Sequence, residues 1–258
     1  MKKIHYTENY LLAPVHPIEV NLIGAGGTGS QVLTSLARIN CALIQLGHPG
    51  LHVTVIDDDV VTPSNLGRQL FAPTEIGLNK AFVLTTQINR FFGLDWNAVR
   101  EQYPYESCAT ANITITCVDN VKARIEIGKY LRKNKNGSVG DKDYTMPYYW
   151  LDFGNTTDTG QVVLGTINPV KQPKKRKIES SGTLKCVDEL FDLSEVNDED
   201  SGPSCSLAEA LRKQDLFINS TIAQLGCNIL WKLFSGSIEN HGAFLNLKTL
   251  RTNPINIQ

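Results

Sequence analysis

The chain has 258 residues, of which 41% are hydrophobic, and this is enough for one large α/β domain with a buried core. Acidic and basic residues nearly balance, with a formal net charge of −1 at pH 7, so the overall charge indicates neither a nucleic-acid partner nor an acidic membrane surface. No segment is long and apolar enough to predict a signal peptide or a membrane span. Six scattered cysteines are typical of a reducing compartment rather than of a disulfide framework. We therefore expect a cytoplasmic protein without membrane or nucleic-acid partners.

A glycine-rich turn near the N-terminus is the first motif with a chemical meaning. The mostly apolar run Ile18–Ile23 precedes Gly24-Ala25-Gly26-Gly27-Thr28-Gly29, and a helical pattern starts at Gln31. This order predicts a strand, a glycine turn and a helix whose free N–H groups face an anion such as a phosphate. A single turn of this kind also occurs in ordinary βα connections, so the neighbouring motifs decide between the two interpretations.

Those neighbours carry one carboxylate and two cations. The next predicted strand, Leu51–Ile56, ends at Asp57, where a carboxylate suits a ribose hydroxyl. Arg68 follows in a polar turn, and Lys80 opens a helix that is predicted to run to about Phe92. Two cations beside one phosphate cradle favour triphosphate chemistry over dinucleotide binding.

Arg68 and Lys80, and the pair Asp119-Asn120 further along the chain, also have purely structural interpretations. Asp119-Asn120 makes a good helix cap, Arg68 could pair with a surface carboxylate, and Lys80 could be a solvated helix residue. Their occurrence together and in order favours the functional interpretation.

The ordered motifs resemble the ThiF/MoeB/ubiquitin-activating superfamily over residues 18–128, and more weakly over 152–161 and the final helix. The residues that carry the resemblance are Gly24–Gly29, Asp57–Asp59, Ser64–Gln69, Gly77 with Lys80, and Val118–Asn120. Within the superfamily, Pro203–Leu207 and Asn219–Thr221 are most similar to the plasmid-associated PRTRC-system ThiF proteins. The resemblance implies an α/β fold: a Rossmann-like doubly wound sheet with a parallel nucleotide-binding part and an antiparallel extension.

The resemblance also implies a role for each matching residue. Phosphates would contact Gly24, Gly26, Gly27 and Gly29, and Asp57 would hold the ribose. The triphosphate and an entering carboxylate would contact Asn65, Arg68, Gln69 and Lys80, while Asp119 would hold Mg²⁺ and Asn120 would line the site. These roles agree with the preference of Mg²⁺ for carboxylate and phosphate oxygens, and with the stabilisation of transition-state charge by cations.

The implied activity is ATP-dependent adenylation, by a homodimer, of the C-terminal carboxylate of a small ubiquitin-like or sulfur-carrier protein. Two alternatives remain. A scaffold could keep the fold and bind such a partner without turnover, and an NAD-dependent oxidoreductase would need a hydride-transfer site that is not evident here. Relatives often hold zinc with two Cys-x-x-Cys pairs; none exists in this chain, so no structural zinc is predicted.

Relatives also place an arginine from the partner subunit ahead of the glycine strand, but Met1–Glu19 contains none. Lys2 or Lys3 would replace it poorly, because a lysine lacks the planar fork of a guanidinium. For a thioester step, Cys205 is the first candidate nucleophile because it precedes a predicted helix start, and Cys186 is the second. An adenylate without any thioester is the other possibility.

The rest of the chain predicts one ThiF-type adenylation domain over residues 1–258. Its parts are an N-terminal segment (1–17), a nucleotide-binding core (18–167), a mobile crossover-like loop (168–204), and C-terminal helices with a tail (205–258). Secondary structure beyond residue 110 is predicted as strands at 112–118, 148–153, 161–167 and 243–247, a polar loop at 132–142, and helices from 206 and over 217–234. Cys227, on the last helix, is predicted to be a core residue.

Overall fold

The computed structural model describes residues 3–137, 142–174, 179–193 and 214–258. Its strands are β1 (His5–Tyr6), β2 (Ile18–Ile23), β3 (Leu51–Ile56), β4 (Asn97–Val99), β5 (Ile113–Thr116), β6 (Tyr149–Asn155), β7 (Thr159–Thr166), β8 (Ser237–Ile238), β9 (Asn240–Asn246) and β10 (Arg251–Asn256). Its helices are α1 (Asn9–Leu12), α2 (Gly27–Gln45), α3 (Lys80–Phe92), α4 (Val121–Lys133), α5 (Lys142–Thr145), α6 (Val187–Leu190) and α7 (Ile218–Phe234).

One eight-stranded sheet organises these elements in the order β10-β9-β7-β6-β5-β2-β3-β4. Pairing is parallel from β4 through β3, β2 and β5 to β6. It is antiparallel from β6 through β7 and β9 to β10. The predicted α/β fold with a parallel part and an antiparallel extension is therefore confirmed. The chain starts the sheet at β2, moves outward through β3 to β4, and returns to β5 on the other side. This reversal makes the carboxyl ends of β2 and β5 a topological switch point, where open α/β sheets bind ligands.

The sheet is buried on both faces, as parallel sheets require. On β6, Tyr149, Leu151 and Phe153 belong to the main core with α2 and α7, whereas Trp150 belongs to a second core with α4 and α6. Successive strand residues point to opposite faces, so the two cores lie on opposite sides of the sheet. Both α2 and α7 therefore pack on the side opposite to α4. None of the helices in the described part of the chain combines the length and hydrophobicity needed to cross a bilayer.

The predicted helix from Lys80 to Phe92 has the bounds of α3. The Asn79 side chain caps it by accepting the Phe82 N–H, and Gly93 ends it at φ +68°. The final helix also agrees with its prediction to within one residue. The helix predicted from Ser206 lies outside the described residues.

The C-terminal tail was predicted wrongly, because residues 251–256 form strand β10 and pair antiparallel with β9. The sequence of β10 is polar and contains Pro254, features that are typical of a tail. An edge strand tolerates both, because one of its sides makes no ladder hydrogen bonds and faces solvent.

Two predicted loops also differ from the structure. α4 continues to Lys133, so the polar loop starts later than residue 132. Within the predicted mobile segment 168–204, the described parts are anchored: Val170 N–H donates to Gly182 O at 2.8 Å, and Ser181 N–H donates to Ile4 O at 3.0 Å. Partners distant in sequence supply these contacts, so local composition does not reveal them.

A partly buried ion pair links β2 and β3 far from their carboxyl ends. Glu19 and His52 are register partners, and His52 Nδ1 lies 3.0 Å from Glu19 Oε2. The Tyr144 hydroxyl donates to the other carboxylate oxygen at 2.5 Å. The hydrogen bond to Glu19 raises the pKa of His52 above its ordinary 6.5, and burial opposes this only in part.

This raised pKa predicts how stability depends on pH. The folded state binds the His52 proton more tightly than the unfolded state, so the stabilisation is fully present below pH 6.5 and is lost as pH rises through the folded pKa. Urea unfolding of His52→Gln, followed from about pH 5.5 to about pH 8.5, should therefore lack this decline. The control is Lys129→Gln, an exposed change on α4 that leaves every histidine in place and should keep the wild-type slope. Identical slopes for wild type and His52→Gln would contradict the assignment.

Candidate functional site

The glycine turn brings the ends of β2, β3 and β5 into contact. Gly24 has φ +90°, donates its N–H to Ile56 O at 3.0 Å, and approaches Cys117 so closely that a Cβ would lie 2.8 Å from the Cys117 oxygen. A Cβ at Gly29 would overlap the Gly24 carbonyl oxygen. Only glycine fits these two positions. α2 thus starts directly at the switch point, with its N-terminal N–H groups at the carboxyl edge of the sheet.

Asp57 connects β3 to this turn. Its Oδ2 accepts the Ala25 N–H at 2.6 Å and its Oδ1 accepts the Asp59 N–H at 2.8 Å. Burial raises the pKa of Asp57, and the bonds from Ala25 and the charge of Lys80 oppose that rise. A carboxylate has about four acceptor positions, so two remain after these contacts. Asp57 therefore keeps acceptor positions for the predicted ribose contact, which stays a prediction.

Arg68 and Gln69 present unpaired polar atoms. Arg68 Nη1 donates to Gln214 Oε1 at 2.8 Å, but its buried Nε has no hydrogen-bond partner among the described residues. The buried Oε1 of Gln69 also lacks a partner there, and Gln69 Nε2 lies 4.0 Å from the point where a Cβ of Gly26 would stand. Burial also lowers the pKa of the Arg68 guanidinium. Buried polar groups without partners are costly, so this pair fits a site that a polar ligand completes.

Lys80 is buried at the start of α3, and its Nζ lies 2.7 Å from Asp59 Oδ2. Asn79 reinforces this placement by donating to the carbonyl oxygens of Asp57 and Asp59 at 2.8 and 2.9 Å. The lysine is therefore not the solvated helix residue of the structural interpretation. Its ammonium keeps further donors after the bond to Asp59.

Asn65 has a local structural role. Its Oδ1 accepts the backbone N–H and the hydroxyl of Thr62 at 2.8 and 3.0 Å, inside the short 3₁₀ turn Pro63–Asn65. The backbone of Gln69 then bonds back to Asn65 O at 2.9 Å. Asn65 thus shapes the loop that presents Arg68. A direct contact of Asn65 with a nucleotide stays a prediction.

Asp119 and Asn120 follow β5. The Asn120 Oδ1 accepts the Ala123 N–H at 2.8 Å and so caps α4, as the structural interpretation predicted. Asp119 is exposed and has one long contact, 3.4 Å, from Asn120 Nδ2. Mg²⁺ is usually held by one or two carboxylates together with water and phosphate oxygens, and Asp119 offers a carboxylate of that kind.

Behind this loop lies a buried ion pair that the sequence analysis missed. Arg124 Nε is 3.2 Å from Asp152 Oδ1, and Arg124 Nη2 donates to Val118 O at 2.6 Å and to Phe153 O at 2.9 Å. The Thr116 hydroxyl donates to Asp152 at 2.5 Å. Burial raises the pKa of Asp152, and Arg124 opposes that rise. The available signal was an aspartate in the middle of an otherwise apolar strand.

Removing one member of this pair should be severe. We expect Arg124→Met to lower the free energy of unfolding by about 3–5 kcal/mol, because Asp152 is left buried without a counter-charge. Urea unfolding would measure this loss, with the exposed Lys129→Met on the same helix as a control that should change by less than about 0.5 kcal/mol. Similar decreases in the free energy of unfolding in both variants would show that the Arg124–Asp152 pair does not stabilise the fold in particular.

A second missed residue, Asn219, joins α7 to the glycine turn. It is buried, and its Oδ1 accepts the Thr28 hydroxyl and Asn155 Nδ2, both at 2.9 Å. Its Nδ2 donates to Gln214 Oε1 at 2.9 Å. A Cβ at Gly27 would lie 2.7 Å from the Asn219 carboxamide. In the sequence, Asn219 indicates only a subgroup, because nothing local connects it to residue 27.

Substitution by alanine should therefore destabilise the protein more at Gly27 than at Gly26. Gly27→Ala should lower the free energy of unfolding by about 1–3 kcal/mol through overlap with Asn219. Gly26→Ala has open space around its Cβ, with the nearest atom at 4.0 Å, and should lose less than about 1 kcal/mol as a poorer helix cap. Urea unfolding of both variants tests this, and equal losses would refute the role given to the contact at Gly27.

Of the two candidate nucleophiles, the structure describes only Cys186. Cys205 lies outside the described residues. Cys186 is buried, and burial raises the pKa of its thiol, so the reactive thiolate is disfavoured. Cys227 is also buried, and burial raises its pKa to about 12, which agrees with its predicted place in the core.

A cavity of about 350 Å³ lies elsewhere, between the antiparallel strands and the segment 181–190. His241, Lys185 and Glu189 are among its lining residues, and no residue predicted for the nucleotide site lines it. The candidate site is therefore the carboxyl edge at the glycine turn, where the predicted residues of β2, β3 and β5 meet.

Comparison with known families decides the assignment at this point. The profile of the ThiF family matches residues 15–257. The chain belongs to the ThiF family. Membership of the PRTRC subgroup, by contrast, stays a prediction.

Two curated relatives are named as activating enzymes, one of a ubiquitin-like modifier and one of ubiquitin. The mouse ubiquitin-like modifier-activating enzyme 6 is 29% identical over 152 residues, and the Arabidopsis thaliana ubiquitin-activating enzyme E1 2 is 31% identical over 157 residues. The matches cover 53% and 54% of this chain but only 14% of each relative. The family assignment thus applies to one domain-sized part of much longer proteins.

Solved structures of E. coli MccB share the fold. One superposes with a TM-score of 0.60 at 17% identity and covers 93% of this chain and 63% of MccB. Another, of MccB with ATP, gives a TM-score of 0.58 at 16% identity, covering 95% and 64%. At this identity the likeness concerns the fold alone.

Proposed function

We propose that this ThiF-family domain binds ATP at the glycine turn and adenylates a carboxylate. The main support is the buried Nε–H of Arg68, which has no hydrogen-bond partner among the described residues and can donate to a phosphate or carboxylate oxygen. The comparisons add support, because the chain is similar in sequence to the two activating enzymes and similar in fold to MccB, which has been solved with ATP.

Each residue has a chemical task in this proposal. The glycine turn and the N-terminus of α2 hold phosphate oxygens by backbone N–H groups, and Asp57 accepts the ribose hydroxyls. Arg68 and Lys80 stabilise the charge that grows as a carboxylate oxygen attacks the α-phosphate and pyrophosphate leaves. Mg²⁺, when bound, would neutralise part of the phosphate charge, and Asp119 would hold it.

The proposed substrate is the C-terminal carboxylate of a small ubiquitin-like or sulfur-carrier protein. The names of the curated relatives support a ubiquitin-like partner, while one MccB structure contains MccA and ATP-like AMPCPP. A homodimer, a cytoplasmic location, the PRTRC subgroup and transfer to Cys205 belong to the same proposal. Among the described N-terminal residues, Lys3 pairs with Glu179 at 3.3 Å, so it is not free to replace a partner's arginine without breaking that contact.

The scaffold is the second candidate function. Lys80 paired with Asp59 and the absence of arginine from residues 1–19 both favour it, because each reduces the positive charge available for turnover. An NAD-dependent oxidoreductase has less support, because cations at the cradle suit a triphosphate better than a dinucleotide.

The deciding experiment is ATP–pyrophosphate exchange with Mg²⁺ and a small ubiquitin-like or sulfur-carrier protein whose C-terminus is intact. Exchange should require that terminal carboxylate and should fall about a hundredfold or more in Asp119→Ala and Arg68→Ala. The matched control is Lys122→Ala, an exposed change on the helix that follows Asp119, which should keep wild-type exchange.

The three candidate functions give different results. Partner binding without exchange in the wild type would favour the scaffold. Tight binding of NAD without binding of ATP would favour the oxidoreductase. Exchange that survives Asp119→Ala unchanged would keep adenylation but remove Asp119 from the Mg²⁺ site.

A further inference from the structure

The environment of Arg68, a half-buried residue with a buried Nε, differs from that of the two buried cations near the site. Lys80 contacts the carboxylate of Asp59 at 2.7 Å, and Arg124 contacts that of Asp152 at 3.2 Å. Arg68 contacts no carboxylate among the described residues; its partner is the neutral carboxamide of Gln214. Arg68 is therefore the one of these three whose charge is not compensated in the described structure.

Gln214 is held firmly although it lies outside any helix. Its Oε1 accepts from Arg68 Nη1 at 2.8 Å and from Asn219 Nδ2 at 2.9 Å. The next residue, Asp215, donates its backbone N–H to Thr157 O at 2.7 Å. The two lone pairs of the carboxamide oxygen are thus both used, so its position is defined from two sides.

Asn219 determines which end of Gln214 faces Arg68. The Asn219 oxygen accepts hydrogen bonds from Thr28 and Asn155, so its amino group must face Gln214. That amino group can only donate a hydrogen bond, so the atom of Gln214 that faces it is the carboxamide oxygen. The oxygen is also what a guanidinium, a pure donor, requires. The orientation is therefore passed from the glycine turn and β6 through two carboxamides to Arg68.

A neutral acceptor has a consequence that a carboxylate would not have. Gln214 takes one of the five N–H groups of Arg68 and leaves the full positive charge, including the buried Nε–H, which has no partner in the part of the chain that the structure describes. A carboxylate at the same place would orient the guanidinium equally well but would cancel its charge. The two carboxamides thus combine a fixed orientation with an uncompensated charge.

We infer that Gln214 and Asn219 are positioning residues that hold Arg68 in place, with its charge uncompensated, for a polyphosphate ligand. The identity of that ligand as ATP rests on the proposed function. The orientation of Arg68 itself rests only on the contacts of these side chains.

The test compares two variants of Gln214 with nearly the same side-chain length. Gln214→Glu keeps an oxygen for both donors but neutralises Arg68, whereas Gln214→Met removes the acceptor and leaves the charge. Titration calorimetry on the full chain, with ATP and separately with inorganic triphosphate, should give a Kd at least about tenfold higher for Gln214→Glu and a smaller rise for Gln214→Met. A merely structural role predicts the reverse order, because Met loses the hydrogen bonds that Glu keeps.

Two further variants complete the experiment. Asn219→Asp keeps the acceptors for Thr28 and Asn155 but cannot donate to Gln214, so it should also weaken binding of both ligands. Gln224→Glu, an exposed position on α7 that bonds Ser35 at 3.0 Å, introduces the same charge on the same helix and should leave both Kd values within about twofold of wild type. Thermal unfolding of each variant separates loss of folding from loss of binding.

The outcomes separate this inference from the proposed function. Wild-type binding of either ligand with an unchanged Kd in Gln214→Glu overturns the inference and leaves the function standing. Binding of triphosphate but not ATP, weakened in Gln214→Glu, supports the inference and overturns the nucleotide assignment. Failure of the wild type to bind either ligand overturns both.

Discussion

The guanidinium of Arg124 is the contact on which the arrangement of the site depends. It donates to the carbonyl oxygens of Val118, which follows β5, and of Phe153, which lies near the end of β6. From Val118 the chain continues to Asp119, and from Phe153 to Asn155. One buried cation therefore holds two strand ends together. Burying its charge would be strongly destabilising without the adjacent carboxylate of Asp152.

From Asn155 the contacts continue through side chains rather than along the backbone. Asn155 and Thr28 orient Asn219, Asn219 orients Gln214, and Gln214 holds Arg68. Carboxamides are suited to such a series because each has a donor end and an acceptor end, so the orientation of one fixes that of the next. Carboxamides are also uncharged, so the series adds no negative charge beside Arg68. The site thus contains cations of two kinds, those paired with carboxylates and one held by an amide.

The fold could be predicted from the sequence to a large extent, and the exceptions have identifiable causes. β2, β3 and α3 have strong periodic patterns with clear caps and turns, and their predicted bounds agree with the structure. β10 was missed because an edge strand needs no apolar face of its own. The anchoring of residues 168–174 and 179–193 was missed because local composition does not show which backbone groups pair: Val170 donates to Gly182 within the segment, and Ser181 donates to Ile4 near the N-terminus.

For the candidate site, the sequence by itself determined the residue types, their order and the family, because glycine turns, strand-end carboxylates and cations at short spacing leave a local signature. The roles of these residues in binding and turnover remain predictions. Only the tertiary structure decided which neighbours each of them has. Asn65 closes its own turn, Lys80 is paired with Asp59, and Arg68 contacts Gln214, 146 positions later in the chain. The last of these contacts depends on how the fold brings the segment that leads into α7 to the loop after β3, and sequence spacing contains no information about that geometry.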